Sequence, residues 1–384
     1  MTTLKLKLLT VAVGTSLFAT SVSALDFYGY GRGGVGMSGD GEDVKYQTNL
    51  LGRLGNESDF YVEFGFKQEL YSEDGVTFLV DTMAFAGDDS DLAAAQYNVQ
   101  AQGLFGSEEV LWAGKRYYQR RDVHITDFYY LNTQGEGGGL ENFAGGFSLA
   151  WIQDEGVQGQ ADKGNIIDLR YNGIQFSERS NLELAMLYNF TTGDDGGSDD
   201  GVLLSADFTL QGSGTGYNKT VFQVGTNGYA KQLPGLGAGA GYDRTTDLNN
   251  GGFGFRLFNT GLYNLTENFD LGYIVMYNSA SDVDVGGLNE GDHDVLNLVV
   301  RPMYAWSKHM RTYGEFGWFD GEEGNQDYDG YKLTVAQAWA IGPEFLARPE
   351  IRVFGTYFGA GQDDIGPQMV DSEFNLGIQF EGWF

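Results

Sequence analysis

The fold class this sequence predicts is all-β: a single transmembrane, antiparallel β-barrel. Three observations carry the prediction. Apolar and polar residues alternate along several segments. Glycine and aromatics are abundant while proline is scarce, with 59 Gly, 23 Tyr and 27 Phe against 5 Pro. Beyond residue 24, no apolar run is long enough for a membrane-crossing helix. Aromatic side chains suit a pleated, half-buried surface, and glycine permits turns and close backbone approach within a barrel wall.

Taken in order, the chain starts with Lys5 and Lys7, an apolar run from Leu8 to Phe18 and small residues ending Val22-Ser23-Ala24. This is the pattern of a secretory signal peptide over 1–24. Its apolar core falls short of the roughly 20 residues a spanning helix needs. Cleavage after Ala24 leaves one barrel domain, 25–384. The whole chain carries 53 Asp and Glu against 23 Lys and Arg, a net charge of -30, which excludes nucleic acid as a natural partner. With no cysteine there is no disulfide frame and no thiolate metal site, which agrees with export to a Gram-negative outer membrane.

The first strand, from Leu25 to Met37, puts Tyr28, Tyr30 and Arg32 on one face, opposite Leu25, Phe27 and Val35. From Phe60, the run FYVEFGFKQEL sets Phe60, Val62, Phe64 and Phe66 against Tyr61, Glu63, Gly65, Lys67 and Glu69. A one-residue slip would turn Glu63 and Lys67 toward lipid, where Arg or Lys costs roughly 2–4 kcal/mol at mid-membrane and Asp or Glu less. The alternation therefore nominates Tyr30, Arg32, Tyr61 and Glu63 for the lumen. The last twelve residues, EFNLGIQFEGWF, repeat the pattern: Phe374, Leu376, Ile378, Phe380 and Phe384 face Glu373, Asn375, Gln379, Glu381 and Trp383. Trp383 joins the lumen set.

Between these ends, Trp112 to Tyr130 (WAGKRYYQRRDVHITDFYY) packs Lys115, Arg116, Arg120 and Arg121 among five Tyr or Phe residues. An aromatic girdle at the membrane surface explains the rings but not the four cations beside Asp122 and Asp127. Charges facing each other across a pore do explain them, because rings stack on apolar sugar faces while Arg and Asp bond hydroxyls. Stretches rich in Gly, Asp, Asn and Ser read as external loops: 38–43, 87–91, 192–201, 247–252, 279–294, 320–330 and 359–367. About 360 residues at ~9–11 per tilted strand allow roughly 16–18 strands.

Other chemistry finds little support. Gly31, Gly33 and Gly36 make a formal dinucleotide motif with no βαβ pattern behind it, so no cofactor is expected. Acidic pairs such as Asp194-Asp195 lack the ordered calcium loop, and His124, His293 and His309 lack metal-ligand spacing, so no metal is expected either. No nucleophile motif is present.

The segment 112–130, followed by GGGLENF (137–143), resembles the third strand and constriction loop of the maltoporin family of sugar-specific porins. Further similarity lies in LDFYGYGRGGVG, GRLGNE (52–57), RPMYAW (301–306), RPEIRVFGTY (348–357) and the final strand. The resemblance implies an 18-stranded barrel with an inward-folded third loop, a homotrimer amid outer-membrane lipid and lipopolysaccharide, and facilitated diffusion of maltose and malto-oligosaccharides. It implies sugar stacking by Tyr30, Tyr61, Trp383 and Tyr217, and a constriction at Tyr129. Its polar track would be Arg32, Arg53, Glu63, Arg120, Asp122 and Asp127.

The chain also departs from that pattern. The second external loop, 84–100, is short and lacks the tryptophan that family members lend to a neighbouring subunit. Leu346, beside Phe345, stands where the family has a slide tryptophan, and Ser58 stands where a loop cysteine can occur. A pore for another oligosaccharide, a general small-solute porin, a membrane hydrolase and a loop-borne adhesin are the rival readings.

Overall fold

The computed structural model describes residues 25–41, 43–88, 90–154, 164–191, 199–244, 246–287, 289–359 and 373–384; the leader expected over 1–24 lies outside them. Among the described residues the chain forms eighteen strands. They begin with β1 (Asp26–Met37), β2 (Tyr61–Glu73), β3 (Val76–Gly87), β4 (Ser90–Gln102), β5 (Val110–Val123) and β6 (Phe128–Phe143). They continue with β7 (Phe147–Asp154), β8 (Gly164–Ser177), β9 (Ser180–Thr191), β10 (Gly201–Gln211), β11 (Tyr217–Thr226) and β12 (Phe253–Thr266). The last are β13 (Phe269–Val285), β14 (Asn289–Ser307), β15 (Met310–Glu323), β16 (Gln326–Ala340), β17 (Glu350–Gly359) and β18 (Glu373–Trp383).

Each strand pairs antiparallel with its sequence neighbour, and β18 pairs with β1, so the sheet has no free edge. Closure removes the unpaired backbone groups that lipid cannot satisfy. At the seam, Gly29 exchanges backbone hydrogen bonds with Phe384 (3.0 and 3.2 Å). The Phe384 ring stacks on Phe27 at 5.0 Å. Phe384→Ala removes that stack and is expected to lower barrel stability by about 1 kcal/mol. The measurement is the midpoint of denaturant unfolding in lipid vesicles; an unmoved midpoint would mean the backbone ladder alone holds the seam.

The barrel is inside-out relative to a soluble fold. Along β18, Phe374, Leu376, Ile378 and Phe380 are 45–53% exposed on the outer wall, while Asn375, Gln379 and Glu381 are 1% exposed within it. Arg170, Arg256, Arg301, Arg311 and Arg352 are among the largest fully buried side chains. Lipid is the solvent for the apolar face, and the lumen holds the charges.

Short turns follow the even-numbered strands, for example at 74–75, 178–179 and 308–309, while the long connections 38–60 and 227–252 follow β1 and β11. Three expected loops are largely strand. Among the described residues, of 84–100 only 88, of 279–294 only 286–287, and of 320–330 only 324–325 lie outside strands. The loops expected over 192–201 and 359–367 fall outside the described residues except at their edges.

Three connections fold into the barrel. The first, 38–60, carries helix α1 (Thr48–Leu51) and buries Leu50, Leu51 and Leu54. Buried Lys332 holds it by donating to the carbonyls of Gly52 (2.6 Å) and Leu54 (2.8 Å) and to Glu315 (2.7 Å). Gly52 sits at φ +88, where a Cβ would stand 2.6 Å from the Glu315 carboxylate, so the close approach requires glycine. The second is the tip between β5 and β6, a 3-10 turn over His124–Thr126. The third, 227–252, carries α2 (Gly228–Gln232) and adds to the inner side of β6, where Asn132 exchanges backbone hydrogen bonds with Ala238 (2.8 Å) and Ala240 (3.0 Å).

Candidate functional site

Cross-strand register gathers the lumen residues. Tyr30 of β1 is opposite Trp383 of β18 and Glu63 of β2, and Arg32 is opposite Tyr61 and Glu381. Directly paired residues point the same way, so Tyr30, Arg32, Tyr61, Glu63 and Trp383 share the inner face. The Tyr30 and Tyr61 rings lie 6.3 Å apart, and Trp383 meets the edge of His124 at 5.5 Å. The hydroxyls are fixed. Tyr61 donates to Glu63 (2.7 Å), and Tyr30 accepts from Arg53 (2.6 Å) and donates to Glu381 (3.1 Å). Fixed hydroxyls hold the ring planes with little freedom left to lose on ligand binding.

Arg32, Arg53 and Asp127, predicted as hydroxyl-bonding groups, are largely committed to the protein. Arg53 is 3% exposed. Its Nε donates to Glu57 (2.7 Å), its Nη2 lies 3.2 Å from Glu381, and its Nη1 lies 3.3 Å from His124 Nδ1. A guanidinium can only donate, so His124 Nδ1 is the acceptor and its Nε2 carries the hydrogen. Burial pushes the His124 pKa well below its usual value, which keeps the ring neutral although Glu381 lies 3.9 Å away. Arg32 spans Glu57 (2.7 Å), Asp59 (3.0 Å) and Asp127 (3.3 Å), tying wall, first connection and inward tip together. Asn49 donates to the carbonyls of Thr126 and Asp127 (both 2.9 Å), and Arg301 donates to that of Ile125 (3.0 Å). The tip is pinned from three sides.

Arg120, Asp122 and Tyr129 differ. Register shifts break the β5–β6 ladder between Tyr118 and Asp122, and such bulges re-aim side chains. Arg120 lies 3.6 Å over the Tyr117 ring and 4.7 Å from the Tyr129 centroid. Asp122 is the cross-strand partner of Tyr129 and is exposed to the lumen. Neither Arg120 nor Asp122 makes an ion pair or side-chain hydrogen bond to another described residue. A stacked cation with free donors and a free carboxylate acceptor thus flank one aromatic ring.

Tyr217 stands apart from the aromatic row. It lines a cavity of about 400 Å³ against the opposite wall, together with Arg121, Asp122, Glu183, Asp207 and Lys219. There Arg121 pairs with Glu183 (2.8 Å) and Lys219 with Asp207 (3.0 Å). The sequence reading missed Glu183, Asp207 and Lys219, which lie far along the chain from the motif. It also missed Tyr117 and Phe85, whose rings carry the contacts that place them only once neighbouring strands are aligned. Elsewhere in 112–130, Trp112 and Tyr118 are buried and stack on each other, and Arg116 pairs with Glu141. Among the described residues no three His, Asp or Glu side chains are arranged to hold a metal.

The family model described as LamB porin matches residues 25–384. The chain belongs to the LamB porin family. Relatives in this family agree: a maltoporin of Vibrio cholerae is 44% identical, covering 99% of this chain and 100% of its own length. A maltoporin of Photobacterium profundum is 40% identical over 98% of each chain. Solved structures that share the fold at low identity include Acinetobacter baumannii OccAB1 (TM-score 0.54, 9% identity, covering 94% of this chain and 97% of that one). Pseudomonas aeruginosa OccK2 is similar at TM-score 0.53 and 11% identity, covering 94% and 98%. This porin is accordingly an outer-membrane barrel.

The departures from the family pattern have a structural form. The connection between β3 and β4, where the family's second external loop belongs, leaves only residue 88 outside strands among the described residues. Leu346 is 39% exposed, while Phe345 is buried edge-on against Tyr313 at 5.8 Å, so neither presents a free aromatic face to the lumen. Ser58 donates to Asp43, tying the first connection to itself.

Proposed function

We propose that this porin passes maltose and maltodextrins by facilitated diffusion, as a channel rather than an enzyme. The observation that carries the reading is the pairing of an aromatic row with uncommitted Arg120 and Asp122 beside Tyr129, next to the inward tip. A pyranose has two apolar faces and an equator of hydroxyls, so a row of rings and flanking donors and acceptors match its shape. Stacking contributes about 0.5–1.5 kcal/mol per ring, strong enough to hold a sugar at each step and weak enough to release it. The names of the Vibrio and Photobacterium relatives support maltose-type sugars. The assembly we propose is a homotrimer in outer-membrane lipid with lipopolysaccharide outside, made after removal of a leader over 1–24. Tyr30, Tyr61 and Trp383 are its stacking residues and Tyr217 an exit contact, with Glu63, Arg120 and Asp122 bonding hydroxyls. Arg32, Arg53 and Asp127 chiefly hold the constriction in place.

Planar-bilayer recording tests this. Maltohexaose is expected to block the ion current in a saturable way, with sucrose and cellohexaose blocking at least about tenfold more weakly. Equal block by all three would favour a general small-solute porin. Stronger block by cellohexaose would favour another oligosaccharide, a reading that the missing exit aromatic at Leu346 supports.

A further inference from the structure

We propose that Asn181, Thr209 and Gln211 form a hydrogen-bonding shelf for a single sugar unit at the short-turn mouth of the pore, off the aromatic row, with Tyr217 as its one ring. This rests on the sugar-passing reading above and adds to it a binding position in which amides replace stacking.

Register builds the shelf in two rows. Asn181 of β9 is opposite Thr209 of β10, which is opposite Lys219 of β11 and through it Thr260 of β12. Gln211 is opposite Tyr217, which is opposite Leu262. Asp207, two residues before Thr209, is buried within the barrel, so the alternation turns both rows toward the lumen. Strand direction sets the height. Asn181 is the second residue of β9, just after the 178–179 turn, and Gln211 is the last of β10. Short turns mark the periplasmic end of such barrels, so the shelf lies at the exit.

These residues line the cavity beside Tyr217, and what it leaves uncommitted decides its chemistry. At about 400 Å³ it falls within the ~300–1,000 Å³ typical of small-molecule sites. Its cations are paired, Arg121 with Glu183 (2.8 Å) and Lys219 with Asp207 (3.0 Å). Thr209 donates to Asp207 (3.1 Å) and keeps its oxygen as an acceptor. Asn181 and Gln211 make no side-chain hydrogen bond to another described residue, and each amide offers two donors and an acceptor. A sugar hydroxyl both donates and accepts, so two free amides serve it either way round. Tyr217 and Thr260 also line the hollow beside Phe345 and Leu346. The shelf therefore adjoins the point where the chain presents no free ring, and hydrogen bonds there take over from stacking.

The test is sided addition of maltohexaose to single channels in a bilayer. The double variant Asn181→Ala with Gln211→Ala removes both amides and leaves every ion pair of the cavity in place. It is expected to slow sugar entry from the short-turn side about 5-fold or more and to leave entry from the long-loop side within about twofold. Open channels in the sugar-free record show that the variant has folded. Wild-type entry rates in the double variant, with block of the wild-type channel intact, would overturn the shelf and leave the sugar-passing reading standing. Equal slowing from both sides would overturn it too, since that marks a change in the pore as a whole. If maltohexaose fails to block the wild-type channel from either side, the sugar-passing reading itself falls, and the shelf falls with it.

Discussion

Arg53→Met is expected to destabilise the folded pore by on the order of 3 kcal/mol and to make its open-channel current noisy. Removing one member of a buried ion pair typically costs 3–5 kcal/mol, because the partner charge stays buried without compensation. Here the low end applies. Glu57 keeps Arg32 at 2.7 Å, and Glu381 keeps Arg348 at 2.7 Å and Arg352 at 3.3 Å. What disappears is the junction itself: one guanidinium joins Glu57 of the first connection, Tyr30 and Glu381 of the wall, and His124 of the tip. Arg53→Lys is expected to recover less than half of the loss, since a single ammonium cannot span four partners with the geometry of a planar fork. The readouts are the temperature at which the folded barrel loses its compact gel mobility and the variance of the single-channel current. A variant with wild-type mobility and a quiet current would show that Asn49, Arg301 and the backbone bond from Arg53 to Ile125 suffice to hold the tip.

The same residue types play two roles at this site, and only the tertiary contacts separate them. Arg53 and Arg120 are both cations in a sugar-binding pattern, yet one is sealed among carboxylates and the other lies on rings with its donors free. Asp127 and Asp122 divide the same way. A buried, fully paired arginine has no hydrogen left for a passing hydroxyl; its contribution to transport is the position of the loop that bears His124 and Asp127. A free, stacked one can trade partners at small cost, because its water-facing donors are solvated whenever sugar is absent.

The lumen face was legible in the sequence wherever one side of a strand meets lipid and the other meets water. Along 60–69 and 373–384 every second residue is under that constraint, so alternation alone separates Glu63 from Phe64 and Gln379 from Phe380. Above the membrane the constraint lapses while the backbone ladder continues. Asp284 still pairs with Glu290, and Glu322 with Asp327, but both faces are wet and the composition imitates a loop. The bulge after Tyr118 broke the period where Arg120 and Arg121 needed placing. Partners that arrive from distant strands, such as Glu183 for Arg121, leave no local pattern at all. Phe85 was hidden for a related reason: in β3 it lies between small residues, and only alignment against Glu63 shows that its ring stands beside Tyr61.

Arg120→Ala is expected to weaken maltohexaose block about tenfold or more while leaving barrel stability within ~0.5 kcal/mol of wild type. Hydrogen bonds from a charged donor are worth about 1.5–3 kcal/mol each, and Arg120 donates none of its own to the described protein, so their loss falls on the ligand. Folding loses only its contacts to Tyr117 and Tyr129. Arg120→Lys is expected to fall between, because it keeps the charge but loses the planar stack and the paired donors. The charge itself has a separate readout. Removing a cation beside exposed Asp122 should shift the reversal potential in a salt gradient toward greater cation selectivity, and Arg120→Lys should not shift it. Half-saturation by maltohexaose that stays at the wild-type value in Arg120→Ala, with the reversal potential moved as expected, would leave Arg120 as an electrostatic element only. Hydroxyl recognition at the constriction would then fall to Asp122 and the Tyr129 ring.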